Sequence, residues 1–503
     1  MEIKKTAIGT LCEPICLSDY QSVDADFVLP DYFDTIGKLL KCSVVPVTEA
    51  MNVVSDKISV AGCAEISFLY IGEDNKLYNY ENNCKYTKNI RCEQAEATDC
   101  VNIKQEIISV NYRVLGPKRI EIRAQIRVTA EIIKSNTTEI ISDIVDDSIE
   151  IRKGTFSSVC PENAAVREIS LSSVNRLPEN DSVRLILRKN CNVSFTELKP
   201  ISNKLYLNGS VETEIYYISE NDNKVRKHMV TIPLSEVVDF YGVDDTSVCD
   251  VEISQKCISV NILNAENGNS FDVRVNMTIR MISYAQKEFF YLSDVFSVNR
   301  EIKASSDKIF LRKNRSFINK TVTVDVDADS YENEDVDIED CYLDNVRATS
   351  EINKDINEIF INGDFNVLFV NASGMFGVLS RNSSQNLLIP EITSEKNVVC
   401  IHSSVLSCAA LQGADGKIHL TADINIIICV EEKCKVDALT EISIIEGSST
   451  KNNSEIILYY ANKGESVWNI AKENKMSING IKRNNSLTEE KLNDDMILLL
   501  SDF

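Results

Sequence analysis

The sequence predicts a mainly β protein built as three tandem β-sandwich-like units followed by a small βααβ domain. Three observations carry this. A strand motif centred on one glycine occurs three times, at 57–70, 204–217 and 358–370, with Gly62, Gly209 and Gly363 about one domain length apart. A second strand motif returns later in each repeat, at 119–132, 270–282 and 417–428. The last fifty or so residues then switch from period-two alternation to helical spacing.

In the first motif the apolar positions keep one parity: Ile58, Val60, Ala64, Ile66 and Phe68, then Leu205, Leu207, Val211, Thr213 and Ile215, then Ile359, Ile361, Phe365, Val367 and Phe369. The second motif does the same with Ile122, Ala124, Ile126 and Val128, with Val273, Val275, Met277 and Ile279, and with Leu420, Ala422, Ile424 and Ile426. Alternation of this kind marks strands with one buried face. Turn sequences at 115–118, 265–269 and 413–417 precede each second strand, as in an antiparallel meander or sandwich. Each central glycine reads as a bulge or a close backbone approach rather than a ligand site.

The units are placed at 1–150, 165–305 and 318–448, the third the most divergent, and the tail at 455–503 after a polar linker at 446–454. In 30–46, Ile36, Leu39 and Leu40 stand at helical spacing after Pro30 and Asp31, which predicts a short N-terminal helix, with a shorter equivalent at 177–191. Unit three opens instead with an acidic stretch at 332–346.

A formal charge of −23 repels a phosphate backbone, so neither nucleic acid nor an anionic membrane surface is an expected partner. With no apolar run long enough to cross a bilayer and no export signal behind the first lysines, no direct membrane insertion and a cytoplasmic location are expected. Reduced thiols are then the default for the 16 cysteines.

Little chemistry is legible. The three histidines, His228, His402 and His419, have no metal-ligand spacing, and no hydrolase elbow, zinc-protease or phosphate-loop motif occurs. Cys12 with Cys16, and Cys429 with Cys434, lack the spaced partners a structural zinc needs. Asp325, Asp327 and Asp329 imitate the start of a calcium loop, but Ser330 stands where glycine is required and Val336 where a bidentate glutamate is required. No enzyme, no cofactor and no metal are expected, and 325–340 reads as a solvated strand face.

The tail runs strand (456–461), turn, helix from Ser466, helix from Ser477 and strand (496–500), with both serines placed as N-caps. Val467, Ile470 and Ala471 form one apolar stripe, and Ile478 with Ile481 another. Trp468, the single tryptophan, reads as core packing in preference to sugar stacking.

Tyr460, Gly464-Glu465-Ser466-Val467-Trp468-Asn469-Ile470-Ala471 and Asn484-Asn485 resemble the LysM family pattern in order, spacing and type. Glu465 replaces the family's aspartate and Lys475 a glycine often found between the helices. The resemblance implies a binding groove at Gly464, Glu465, Ser466, Val467, Trp468, Asn484, Asn485 and Ser486. It also implies N-acetylglucosamine polymers as a ligand class. The stretch 29–46, the glycine-centred strand and 69–81 are similar to the SPOCS domain of clostridial spore-coat proteins. SPOCS-type units followed by one LysM module are the layout of SipL-like spore-coat morphogenetic proteins. That layout implies a non-enzymatic sporulation adaptor, in the mother-cell cytoplasm at the forespore surface and spore coat, whose LysM module meets a SpoIVA-like coat-basement ATPase. The alternative is a peptidoglycan-binding tether to cortex or cell wall.

Overall fold

The computed structural model describes residues 2–501 apart from 12–14, 55, 94, 97–98, 134, 179–180, 264–268, 330–335, 354–355, 393–395, 414–415 and 450–455. Unit one comprises β1 (Glu2–Leu11), β2 (Ile15–Val28), β3 (Ile36–Val54), β4 (Lys57–Gly72), β5 (Leu77–Arg91), β6 (Cys100–Gly116), β7 (Arg119–Ile133) and β8 (Ser135–Val145). Unit two comprises β9 (Ile149–Arg176), β10 (Val183–Ile201), β11 (Lys204–Ser219), β12 (Val225–Asp239), β13 (Val248–Leu263) and β14 (Ser270–Ser297). Unit three comprises β15 (Arg300–Asp329), β16 (Val336–Asn353), β17 (Ile356–Asn371), β18 (Phe376–Leu388), β19 (Lys396–Gln412) and β20 (Lys417–Ser449). The tail adds β21 (Ile457–Ala461), α1 (Val467–Asn474), α2 (Ile478–Asn484) and β22 (Met496–Leu500).

Each unit is a sandwich of two three-stranded antiparallel sheets with one topology: β3-β4-β5 on β2-β7-β6, β10-β11-β12 on β9-β14-β13, and β16-β17-β18 on β15-β20-β19. The two repeated motifs are the central strand of each sheet. Every alternating apolar residue named above is buried, as one covered face per central strand requires.

Gly62, Gly209 and Gly363 each sit on the inward parity, opposite a bulge in the unit's first edge strand. The register slips between Thr48 and Ala50, between Phe195 and Glu197, and between Asp344 and Arg347. A Cβ on Gly209 would lie 2.0 Å from the Ser194 carbonyl oxygen, and one on Gly62 would lie 2.5 Å from the Tyr86 ring. At Gly209 the missing side chain thus lets the bulged strand close onto the central one, and at Gly62 it makes room for a ring from the opposite edge strand, β5.

The expected helices at 30–46 and 177–191 are strands, β3 and β10. In both, two bulges interrupt period two: between Ile36 and Lys38 and between Leu39 and Lys41, then between Val183 and Leu185 and between Ile186 and Arg188. Each bulge adds a residue to one side, so the inward Ile36, Leu39 and Cys42 fall three apart while Leu40 turns to the cluster at Ile71 and Leu77, and together they imitate a helix in sequence. Asp325, Asp327 and Asp329 lie exposed on β15 between buried Val322, Val324 and Ala328, one side of the strand covered and the other facing solvent. Cys12, Ser330, most of the turn at 265–269 and linker residues 450–454 lie outside the described residues.

The units are not a series of separate bodies. Past each sandwich the outer and central strands run on together as a two-stranded ribbon: β1 with β8, 149–161 of β9 with 284–297 of β14, and 300–315 of β15 with 431–449 of β20. The stretches between the expected units, and the first residues of the expected linker, are therefore strand. The three ribbons share two apolar clusters. One gathers Ile8 and Ile140, Cys160 and Phe289, and Ile309, Leu311 and Ala438. The other gathers Ile141 and Ile144, Leu292 and Val295, and Leu439. Each ribbon contributes to both, so they form one stalk.

At the opposite side the sandwiches meet again around Ile71, Leu77 and Ile218, with Phe376 of unit three against them. Arg188 of unit two makes a bidentate pair with buried Asp340 of unit three at 2.9 and 3.0 Å and lies between the Tyr216 and Tyr342 rings. Lys41 of unit one bonds Asp344 and the Tyr342 hydroxyl, both at 2.7 Å. Units one and two are joined by Lys104, Glu131, Glu252 and Arg280. Burial alone would raise the Glu252 carboxyl, but Arg280 and Lys104 beside it hold it below its ordinary range.

The bulge account is testable. Gly209→Ala should cost about 1–3 kcal/mol by overpacking, seen as a lower midpoint in denaturant unfolding. Gly116→Ala, where an added Cβ meets nothing within 4 Å, should leave the midpoint unchanged.

Candidate functional site

In the tail β21 and β22 pair antiparallel, and two short helices pack with them. Ala461, Val467, Ile470, Ala471, Ile481, Leu498 and Leu500 form its centre, and Phe296 at the end of β14 completes the same cluster. The module therefore sits on the tip of the second ribbon.

Trp468 makes that joint. It is buried, its ring meets Phe296 edge-on at 5.1 Å, and its Nε1 donates to Asp294 Oδ2 at 2.8 Å. Lys472, one turn later on α1, reaches both oxygens of the same carboxylate at 2.6 and 2.8 Å. Burial pushes the Asp294 carboxyl up, but the bonds from Lys472 and Trp468 outweigh it and leave it lowered. Glu150 on β9 holds the second helix, accepting from the Ser477 hydroxyl at 2.9 Å and the Ile478 amide at 3.1 Å.

Two expectations change here. Neither Ser466 nor Ser477 caps its helix through the side chain. The Val467 amide instead donates to the Glu490 carbonyl, and the α2 amide to Glu150. The start of α1 is thus satisfied from later in the tail and that of α2 from the second ribbon. Val467 and Trp468 are buried, so they do not belong to an open groove rim.

The other expected groove residues are placed as follows. Gly464 has φ +87° with open space where a Cβ would stand, and its amide donates to Leu492 O. Glu465 accepts from Asn462 at 2.9 Å, and the 464–467 loop pairs through its backbone with 490–492. Asn484 donates to Ser501 O at 3.0 Å. Asn485 clips α2 to β22, donating to Leu499 O at 2.9 Å and accepting from Leu499 N at 2.6 Å. Ser486 is exposed at φ +52°. The two asparagines are thus fastened to the module's own backbone; Gly464 and Ser486 are exposed, and Glu465 and Ser466 are half-buried like the asparagines. Lys475 holds φ +51°, the left-handed C-cap conformation that favours glycine.

A second surface was not foreseen. On the β21–β22 face away from the helices, Leu458 pairs with Leu499 and Tyr460 with Ile497. They are 61, 37, 75 and 54% exposed. The signal was present as an unbroken apolar run in both strands, where a single covered face would call for alternation.

Among the described residues no cluster of three His, Cys, Asp or Glu is placed to hold a metal, and no helix is long and apolar enough to cross a membrane.

Asp294→Ala in the full chain should raise acrylamide quenching of the single tryptophan and red-shift its emission, with the far-UV spectrum unchanged. Unchanged quenching would show that Trp468 does not depend on the stalk.

A search of curated proteins found no match, and a search of solved structures found none. The family model described as SipL, SPOCS domain matches residues 35–115 and 182–263. These stretches run from β3 into β6 and from β10 through β13, equivalent strands of the first two units. The match supports a sporulation-related protein. With the mainly β architecture already described, the chain therefore carries two SPOCS domains of the SipL family, one in each of its first two units.

Proposed function

We propose that this chain is a non-enzymatic structural adaptor of spore-coat assembly. The three-unit body is its scaffold, and the tail, read as a LysM module, docks to a SpoIVA-like coat-basement ATPase in the mother-cell cytoplasm at the forespore surface. One observation favours a protein partner over a sugar polymer: the exposed face of Leu458, Tyr460, Ile497 and Leu499. Four large apolar side chains facing water on a flat two-stranded sheet carry a solvation cost that docking removes. A glycan groove would instead draw on Gly464, Glu465, Ser466 and Ser486. Asn484 and Asn485 would support it from behind.

The two surfaces can be separated in the full chain. Leu458→Lys with Ile497→Lys should abolish capture of the ATPase from sporulating cells, whereas Glu465→Lys with Ser486→Arg should retain it, and neither variant nor the parent should sediment with purified peptidoglycan. Sedimentation that is lost only in the Glu465/Ser486 variant, with no ATPase captured, would overturn the proposal in favour of the tether.

A further inference from the structure

Unit three carries a thiol arrangement that the adaptor role does not use. Cys400 on β19 and Cys429 on β20 are direct register partners. Both lie on the side of their sheet away from the unit-three core, because the alternate residues Ile428 and Val430 fill that core. Cys429 is fully buried and Cys400 partly exposed.

Two residues along, His402 places Nε2 3.5 Å from Cys400 Sγ and Nδ1 3.6 Å from Glu252 Oε1 of unit two. Glu252 is itself fixed by Arg280 and by Lys104 at 2.7 Å. Arg315, paired with Asp250 and Glu431 at 2.8 Å, adds a cation on the Cys429 side. The histidine thus stands between a thiol and an anchored carboxylate, where its protonated form is favoured and can hold a thiolate.

We propose that Cys400 is a peroxide-reactive thiol, with His402 its ion-pair partner and Cys429 the resolving thiol. The charges agree with the geometry. The bond from Cys429 and the facing His402 hold the Cys400 thiol below its ordinary value, burial working against them. His402 is raised, since Cys400 and Glu252 outweigh its burial.

In the first step the Cys400 thiolate attacks one oxygen of hydrogen peroxide. An S–O bond forms, the O–O bond breaks, and the departing hydroxide takes the His402 proton and leaves as water. Sulfur loses two electrons and peroxide gains them, giving a sulfenic acid. In the second step Cys429 attacks that sulfur, the S–S bond forms, the S–O bond breaks and a second water leaves with the Cys429 proton. The product is a cross-strand disulfide made from two thiols and one peroxide.

A neighbouring pair supplies the contrast. Cys341 and Cys408 place their sulfurs 3.2 Å apart with no histidine bonded to either, and the Cys341 thiol is pushed up by its bond with Cys408 and by burial. Proximity alone is present there, with no imidazole beside either sulfur.

The test uses the full chain with Cys408→Ser, so that this second pair cannot close. Iodoacetamide at about pH 6, well below the ordinary thiol range, should label Cys400 at least about tenfold faster than any other cysteine, and His402→Gln should remove most of that excess. Stoichiometric hydrogen peroxide should then remove two hydrogens in mass, mapped to a Cys400–Cys429 peptide pair. In a Cys429→Ser variant the same treatment should leave a sulfenic acid on Cys400 that dimedone traps. Labelling of Cys400 no faster than the other thiols, or a disulfide mapped elsewhere with Cys400 unmodified, would overturn the proposal.

Discussion

The shared stalk is the constraint on which the architecture rests. A two-stranded ribbon has only one face to bury and is marginal in water by itself. Here each of the three ribbons turns its apolar face onto the other two, around Ile140, Phe289 and Leu311 in one layer and Ile144, Leu292 and Leu439 in the next. The sandwiches are consequently held at a common root, and the ion pairs and rings at Arg188, Asp340, Lys41 and Tyr342 close them on one another from the other side. Removing one ribbon would leave the apolar faces of two others in water, which makes the units dependent on each other in a way that tandem domains on linkers are not.

The same root positions the tail. Asp294, Phe296 and Glu150 all lie at the end of the second ribbon, and they reach Trp468, Lys472 and the start of α2. The chain's single tryptophan is thus spent on a joint: its ring belongs to the module's core, and its indole nitrogen is satisfied by the stalk. A buried indole needs such an acceptor, and the charged one here also takes Lys472. Fixed in this way, the module keeps its β21–β22 face outward, where the proposed docking to another protein takes place.

Much of the fold was legible because the central strands obey the simplest rule in the sequence. Ile58 to Phe68 and Ile122 to Val128 alternate strictly since one side of each is covered and the other is not. The edge strands were misread where bulges break that rule: Ile36, Leu39 and Leu40 stand three and four apart on a stretch that slips register between Ile36 and Lys38 and again between Leu39 and Lys41. The stalk was invisible for a different reason. Ile8, Phe156 and Leu311 pack against residues more than a hundred positions away, on the second strand of their own ribbon and on the other ribbons, and a local window holds no trace of that pairing. In the tail, the helices were readable from Val467, Ile470 and Ile481, whereas the capping of α2 by Glu150 was not, since the partner lies more than three hundred residues earlier. The Cys400, His402 and Glu252 cluster escaped for the same reason: two of its members are neighbours on a strand and the third belongs to another unit.

The most direct test of the shared stalk is native-state hydrogen exchange on the full chain with Ile140→Ala, a substitution confined to the first ribbon. The account predicts that amides of all three ribbons, including 284–297 and 432–445, lose protection together and to a similar degree, by about 2–5 kcal/mol for a buried isoleucine truncated to alanine. Loss confined to β1 and β8, with the other two ribbons exchanging as in the parent, would contradict it.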